Sequence, residues 1–162
     1  VFICALSMGC GNSLYVAAKN QGSIDGLILV NPMIHIPGIQ IKFVYFISRF
    51  QKSRASVGDD IKKPGVTEWG YDALPLRGVA QLHKYLKLAR KGLPTIKTPA
   101  LVFHSVDDHV LPVSNTEIVM SELGSPDKRR IELVNSYHVA TLDYDAETIF
   151  ENSRLFIEER SA

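Results

Sequence analysis

The sequence lacks the features that mark membrane, secreted and nucleic-acid-binding proteins. No apolar run approaches the roughly 20 residues needed to cross a bilayer, so we expect no stable membrane insertion. The net charge is +1, with 18 lysines and arginines and 17 acidic residues interspersed along the chain. That balance provides no electrostatic basis for nucleic acid as a partner. The first residues contain neither a basic segment nor a cleavage site, so we expect a cytoplasmic location.

Cysteine is scarce as well. The two cysteines are Cys4, within an apolar run, and Cys10, shortly after a serine. Their spacing matches no metal-binding motif, and we predict buried packing roles for both rather than a disulfide bond. Repeats and low-complexity segments are absent too, and 162 residues are enough for one domain with a hydrophobic core.

The order of strand formers and helix formers favours an α/β protein with a parallel sheet. VFICAL (1–6) and IDGLILVNP (24–32) are typical of buried strands, and the residues between them, from about 9 to 20, are typical of a helix. Strand, helix and strand joined by short loops indicate parallel strands. The further predicted elements are strands at 99–105 and 129–136 and helices at 114–124, with Ser114 as its N-cap, and at 145–160.

The region from 33 to 96 interrupts this alternation. A polar loop predicted at 51–72 lies there between two predicted amphipathic helices, at 37–50 and 74–93. We interpret the whole region as a cap inserted between strands of the core. The predicted core then consists of residues 1–32 and 97–162.

Ser7 lies between the first predicted strand and the first predicted helix. A serine at the tip of a sharp strand-to-helix turn projects its hydroxyl above the end of the sheet and needs small neighbours, such as Ala5 and Gly9. The amide of Met8, at the helix N-terminus, is then placed to bind a developing oxyanion. The alternative is a surface serine that caps the helix, which is a common role for this residue.

A nucleophilic serine requires a base, and the base requires an acid that orients it. In parallel α/β sheets such groups lie at the carboxyl ends of strands. Asp107 and Asp108 follow one predicted strand, and His138 follows the next. The order Ser, Asp, His along the chain is that of α/β-hydrolases. Four other histidines compete for the role of base. His35 opens the cap, where one interpretation is that it lines the pocket, and for His83, His104 and His109 we expect core, rim or solvated positions.

Four stretches carry a resemblance to a known family: ALSMG (5–9), LILVNP (27–32), PALVFHSVDDHVLP (99–112) and SYHVATLD (136–143). In them the chain resembles the C-terminal part of an α/β-hydrolase of the bacterial carboxylesterase and monoacylglycerol-lipase-like group, of serine aminopeptidase S33 type. The resemblance implies Ser7 as nucleophile, Asp108 as acid and His138 as base, with the Met8 amide in the oxyanion hole. Asp143 then closes the histidine turn, and Asp107 is a solvated neighbour of the acid.

The chain also departs from the family's pattern. Ala5 and Cys10 replace glycines, and Tyr137 precedes the histidine where glycine is common. A larger departure is that the sequence starts, at Val1, inside the nucleophile strand. The strands that precede it in the family, and the loop that donates the second oxyanion amide, are missing. We therefore interpret the chain as a fragment that is weakly active or inactive by itself.

The resemblance implies a serine hydrolase that cleaves carboxylic esters of short to medium acyl chains, as a carboxylesterase or monoacylglycerol lipase. The expected partner is a small-molecule ester, and no metal or organic cofactor is needed. Thioester or peptide hydrolysis on the same fold, and a non-catalytic or truncated hydrolase-fold protein, remain as alternatives. Aromatic residues of the cap either pack it against the sheet or line an acyl pocket. They are Phe43, Tyr45, Phe46, Phe50, Trp69 and Tyr71.

Overall fold

The computed structural model describes residues 1–36, 40–55 and 58–161. The described residues form six strands and five α-helices. In chain order they are β1 (Phe2–Leu6), α1 (Met8–Lys19), β2 (Gly26–Val30), α2 (Gln40–Ile47), β3 (Ser53–Ala55), β4 (Ala73–Pro75), α3 (Leu76–Gly92), β5 (Ala100–Ser105), α4 (Ser114–Glu122), β6 (Lys128–Leu133) and α5 (Ala146–Glu158). Short 3-10 turns occupy Leu93–Thr95 and Ala140–Leu142. None of the helices in the described residues has the length and apolar character that crossing a bilayer requires.

β1, β2, β5 and β6 form one parallel sheet in that order, which confirms the predicted α/β class. The register pairs Val30 with Leu6 on one side and with Phe103 on the other, and it pairs Ser105 with Leu133. All four strands therefore end at the same edge of the sheet. The residues that follow them meet at this edge, where parallel sheets commonly place binding and catalytic groups.

Two of the three apolar runs predicted to be buried strands are buried, and the prediction is wrong for β1, whose residues are half-buried or exposed. Every residue of β2 and β5 is shielded from solvent. One face of the sheet packs on α1, α3 and α4, and the other packs on α5. Buried residues on the first face include Leu14, Ala89 and Val119, and those on the second include Phe103, Ile149 and Phe156. The central strands thus have helices on both faces, as their unbroken apolar character predicted.

β1 is an edge strand of the sheet as far as the structure describes it. Cys4 is exposed on this strand, so its predicted burial is wrong. Cys10, in α1, is buried as predicted, and both cysteines are free thiols. An apolar residue in a strand is buried only where another element covers its face, which local sequence does not show.

The polar segment between α2 and α3 contains a short pair of antiparallel strands that was not predicted. Ser53–Ala55 pairs antiparallel with Ala73–Pro75. The prediction of a loop over 51–72 is therefore wrong at β3. Three exposed residues provide no alternation of polar and apolar side chains, and their pairing partner lies beyond a long connecting segment.

The two helices predicted in the same region are present as α2 and α3. The first predicted residues of the earlier helix, 37–39, lie outside the described residues. The division between a core and a cap of residues 33–96 stays a prediction. The end of α3 and the turn after it bury Ala89, Leu93 and Ile96 in the main core beside the sheet.

Ser114 is the first residue of α4, and Val113 occupies the N-cap position. The prediction that Ser114 caps this helix is wrong. Its hydroxyl instead lies 3.0 Å from Nε2 of His35. The two residues are 79 positions apart in the sequence, so the local capping preference of serine could not reveal this contact.

Candidate active site

Ser7 lies at the turn between β1 and α1, with a backbone φ of 53° and ψ of −121°. A positive φ is uncommon for a residue with a Cβ and marks a strained turn. The amide of Ser7 donates to the carbonyl of Val30, and its own carbonyl accepts from the amides of Cys10 and Met33, each at 3.0 Å. Ser7 holds the N-cap position of α1 but makes no side-chain capping bond, so the alternative in which its hydroxyl caps the helix is wrong.

The departures from the family's glycines near Ser7 are accommodated. A Cβ at Gly9 would lie 3.6 Å from that of Ala5, an ordinary contact distance, so the turn has room for alanine. Cys10 is fully buried, with its Sγ 3.2 Å from the carbonyl oxygen of Ala5 and 3.4 Å from that of Val30. Burial raises the pKa of the Cys10 thiol, so it stays protonated and packs rather than acting as a second nucleophile.

Three side chains from three separate loops form one hydrogen-bonded chain. Nε2 of His138 lies 2.8 Å from Oγ of Ser7, and Nδ1 lies 2.8 Å from Oδ2 of Asp108. Because a carboxylate only accepts, Nδ1 carries the proton directed at Asp108, and Nε2 of the neutral ring accepts from the serine hydroxyl. The side chains of His138 and Asp108 are 8% and 2% exposed, so bulk water is excluded from the hydrogen bond between them.

Of the two adjacent aspartates after β5, only Asp108 faces the histidine. Its Oδ1 accepts from the amides of Val110 and Leu111 at 2.8 and 2.7 Å, which leaves Oδ2 directed at the imidazole. Asp107 is exposed, with Nζ of Lys62 at 3.8 Å from its carboxylate. The tight turn after β5 therefore directs one carboxylate inward and its neighbour outward.

Asp143 anchors the loop that carries His138. Its carboxylate accepts four backbone amides at 2.7–3.0 Å, those of Lys62, Lys63, Tyr137 and Tyr144. Burial alone would raise the pKa of this carboxyl, but the four N–H groups outweigh burial and hold the pKa below its usual range. The predicted closure of the histidine turn by Asp143 is confirmed. Its contacts with residues 62 and 63 were not predicted.

Asn31 is a site residue that the sequence analysis missed. It follows β2 with a φ of 44°. Its Nδ2 donates to the carbonyl of His138 at 2.7 Å and to Oγ of Ser105 at 2.9 Å, and its Oδ1 accepts from the amide of Ser105 at 2.7 Å. It therefore joins the end of β5 to the histidine loop. Its position directly after a buried strand, and the tolerance of asparagine for left-handed backbone, could have indicated it.

Asp60 is the second residue that was missed. It lies in the polar segment between β3 and β4, yet it is only 9% exposed. Its Oδ2 accepts from the amides of His109 and His138 at 3.1 and 3.0 Å, and its Oδ1 lies 2.8 Å from Nδ1 of His109. Nothing local distinguishes it from its exposed neighbour Asp59, because all of these partners are distant in the sequence.

Three of the competing histidines, His83, His104 and His109, occupy core, rim and solvated positions, as predicted. His104 is buried in β5 with Nδ1 3.2 Å from Oγ1 of Thr116, and burial lowers its pKa. The ring of His83 packs edge-on against Tyr45, and the side chain of His109 is largely exposed. Across residues 1–36, 40–55 and 58–161, His, Cys, Asp and Glu form no group of three that could hold a metal ion.

The aromatic residues between β2 and α3 mostly face solvent. Four of them are exposed: Phe46, Phe50, Trp69 and Tyr71. The interpretation that they pack the cap against the sheet is wrong for these four. Tyr45 is half-buried beside the small apolar cluster between α2 and α3. The side chain of Phe43 lies outside the described part of the chain.

Known proteins resemble this chain over nearly its whole length. The profile of the family described as serine aminopeptidase, S33, matches residues 1–145. A thermostable monoacylglycerol lipase from Bacillus sp. (strain H-257) is 36% identical over 156 residues, which make up 96% of this chain and 62% of the lipase. The chain thus spans less than two thirds of the length of that relative.

Solved structures show the same fold. One, from work on the metagenome-derived lipolytic enzymes LipS and LipT, has a TM-score of 0.92 at 34% identity, covering 98% of this chain and 64% of that one. The monoacylglycerol lipase of Paleococcus ferrophilus has a TM-score of 0.75 at 18% identity, with 94% and 65% covered. The family profile extends through all four strands of the parallel sheet and the loops that carry Asp108 and His138, and the chain belongs to the serine aminopeptidase S33 family of α/β-hydrolases.

Proposed function

We propose that this chain carries the catalytic residues of a serine hydrolase of carboxylic esters, with Ser7 as nucleophile, His138 as base and Asp108 as acid. One observation carries the proposal. The hydrogen-bonded chain from Ser7 through His138 to Asp108, with both bonds at 2.8 Å, starts at a serine held in a strained backbone conformation. A helix cap needs no such strain, whereas a nucleophile at the tip of a strand-to-helix turn does.

In the acylation step, Oγ of Ser7 attacks the ester carbonyl carbon while Nε2 of His138 takes the hydroxyl proton. Asp108 keeps Nδ1–H in place and stabilises the imidazolium. The amide of Met8, in the first turn of α1, has no intrahelical partner and donates to the oxyanion. When the bond to the alcohol breaks, His138 gives its proton to the leaving oxygen, and an acyl ester on Ser7 remains.

Deacylation repeats these transfers with water. His138 takes a proton from water as the water oxygen attacks the acyl carbon. The tetrahedral intermediate then collapses, the bond to Oγ breaks, and the proton returns from Nε2 to Ser7. The carboxylic acid leaves, and the starting arrangement of Ser7, His138 and Asp108 is restored.

We further propose that the acyl chain is short to medium in length and that a monoacylglycerol is among the substrates. The monoacylglycerol substrate is proposed from the similarity to a monoacylglycerol lipase and to lipolytic enzymes, and the acyl length is what the family resemblance in the sequence implies. The family's description as aminopeptidases supports a second candidate, the hydrolysis of an amide bond. The same triad can cleave either bond, so the substrate has to be determined by measurement.

The test uses the full-length product of the gene that encodes this chain. A fluorophosphonate probe should label Ser7 stoichiometrically, and Ser7→Ala should abolish labelling and lower kcat by about 10⁴-fold or more. A series of p-nitrophenyl esters from acetate to palmitate, compared with aminoacyl p-nitroanilides, identifies the bond and the acyl length. Labelling at another residue, or full activity of Ser7→Ala, would contradict the proposal.

A further inference from the structure

One carboxylate bridges the two loops that hold the histidine and the acid. Oδ2 of Asp60 accepts both from the amide of His138 at 3.0 Å and from the amide of His109 at 3.1 Å. His109 directly follows Asp108 in the chain. The opposite oxygen, Oδ1, lies 2.8 Å from Nδ1 of His109, and the backbone carbonyl of Asp60 accepts from the amide of Val139 at 3.1 Å.

The bridge is reinforced from the other side. Asp143, in the histidine loop, accepts from the amides of Lys62 and Lys63 at 2.7 and 3.0 Å. Residues 60–63 therefore bind the histidine loop in both directions. The carboxylate of Asp60 accepts an amide of that loop, and the amides of Lys62 and Lys63 donate to a carboxylate of that loop. Both aspartates are buried, at 9% and 3% exposed, so these hydrogen bonds are shielded from competing water.

The spacing of the two loops decides whether the triad is aligned. The acid turn follows β5, and the histidine loop follows β6. Neighbouring strands set the starts of the loops, but the 2.8 Å bond between Asp108 and His138 forms beyond the strand ends. Without Asp60, the amides of His109 and His138 lose their common acceptor. Misplacement of a catalytic group by about 1 Å can lower the rate by about 10²-fold.

We propose that Asp60 is a positioning residue for the Ser7, His138 and Asp108 site, because its carboxylate sets the distance between the acid turn and the histidine loop. This inference rests on the function proposed above. Asp60 acts through the backbone of His109 and His138 rather than through a contact with Ser7. Substitution of Asp60 should therefore lower kcat and leave KM nearly unchanged.

Two substitutions at Asp60 separate geometry from charge, and Asp59→Asn provides a matched control. In D60N a single carbonyl oxygen can still accept both amides, although neutral hydrogen bonds are about half as strong as charge-assisted ones. In D60A neither amide has an acceptor. We expect kcat to fall about 100-fold in D60A and about 3- to 10-fold in D60N. In both variants KM should stay within about twofold of the parent, and D59N should match the parent.

The measurement uses the full-length protein and expresses kcat per fluorophosphonate-titrated site, so that loss of folded enzyme is not counted as loss of turnover. Amide hydrogen exchange at His109 and His138 provides a readout independent of activity and should be faster in D60A. A kcat per titrated site in D60A within twofold of the parent would overturn the inference. If D60A does not fold, the D60N variant provides the test. A D60N variant that equals D59N in both kcat and amide exchange would overturn the inference. Failure of the parent to label at Ser7 would instead refute the proposed function, whatever the exchange data show.

Discussion

In the parallel sheet every residue of β2 and β5 is buried, whereas among the described residues of 45–75 only Asp60 is. The buried strands are almost wholly apolar. The 45–75 segment exposes large apolar side chains, including Phe50 and Trp69, and it buries a carboxylate. The sheet thus buries its apolar side chains, whereas the 45–75 segment exposes several of its apolar side chains and buries a charged one.

The difference shows two ways of holding a chain segment in place. Apolar burial stabilises the sheet without direction, because it depends on the area removed from water. The 45–75 segment meets the histidine loop through hydrogen bonds from backbone amides to the carboxylates of Asp60 and Asp143. Hydrogen bonds require specific distances and angles, so this contact fixes position as well as contributing stability.

The largest expected effect tests whether the catalytic acid lies in the turn that follows a strand of the parallel sheet. We expect Asp108→Asn in the full-length protein to lower kcat by about 10⁴-fold, because the amide no longer holds the imidazole tautomer that accepts from Ser7. Asp107→Asn, one residue away and exposed, should keep kcat within about twofold. Steady-state kinetics on a p-nitrophenyl ester measures both. Equal losses in the two variants would argue against the assignment of the acid.

The next effect compares a ring in the sheet with a ring in the exposed segment. Phe103 is fully buried in β5, and Phe50 is 78% exposed. We expect Phe103→Ala to lower the free energy of unfolding by about 3–5 kcal/mol through the cavity it leaves. Phe50→Ala should change it by less than about 0.5 kcal/mol. Urea unfolding gives both values, and a large loss in Phe50→Ala would show that this ring is covered in solution.

An intermediate effect concerns the carboxylate contact and its dependence on pH. Asp143→Asn replaces one acceptor oxygen by an NH₂ group that faces amide donors, so we expect a loss of about 1–3 kcal/mol at pH 7. The folded-state pKa of Asp143 is below its unfolded value of about 3.9. Its stabilisation is therefore complete above about pH 5 and is lost as the pH falls through the folded pKa.

Chemical denaturation of the parent and of Asp143→Asn from pH 7 to pH 3 tests this sign. The difference in the free energy of unfolding between the parent and Asp143→Asn should shrink as the pH falls. Asp59→Asn, which alters an exposed carboxylate in the same segment, should follow the parent throughout. A difference that stays constant over this range would show that the carboxylate of Asp143 is not held by its amide partners.

The smallest effect is at His109. The hydrogen bond that the His109 ring donates to the Asp60 carboxylate raises the pKa of His109, with added attraction from Asp107 and Asp108. Its ring also packs edge-on against Tyr137, 4.4 Å away between ring centroids. A raised folded pKa stabilises the fold below the unfolded value of about 6.5, and that stabilisation is lost as the pH rises through the folded pKa.

We therefore expect the Tm of the parent to exceed that of His109→Gln by more at about pH 5.5 than at about pH 8.5. Nζ of Lys62 lies 5.6 Å from the centre of the Tyr137 ring, on which His109 also packs. Differential scanning calorimetry at the two pH values measures the change. A larger gap at the higher pH would reverse the sign and contradict the Asp60–His109 pairing.

Much of the sheet was predictable because it is encoded locally. Unbroken apolar runs predicted β2 and β5, and turn residues after them marked where each strand ends. The three proposed catalytic residues follow β1, β5 and β6, and the structure brings them within hydrogen-bonding distance. A helix joined by short loops between two strands favours parallel pairing, as found for β1 and β2.

Other features could not be predicted, because they depend on partners far away in the chain. Asp60 is bound by residues 49 and 78 positions away, and Asn31 reaches residues 74 and 107 positions away. Cys4 and Phe50 are apolar in a way that predicts burial, yet both are exposed. The hydroxyl of Ser114 is likewise taken up by His35 rather than by its own helix.

The sequence by itself determined the parallel α/β sheet and the chain order in which serine, aspartate and histidine follow its strands. Periodicity, strand ends and connection lengths are properties of neighbouring residues, so they can be seen in the sequence. Only the tertiary structure decided which apolar side chains are covered and which carboxylate joins the acid turn to the histidine loop. Burial and hydrogen bonding of a side chain depend on what packs against it, and for Asp60 those groups come from loops after two different strands.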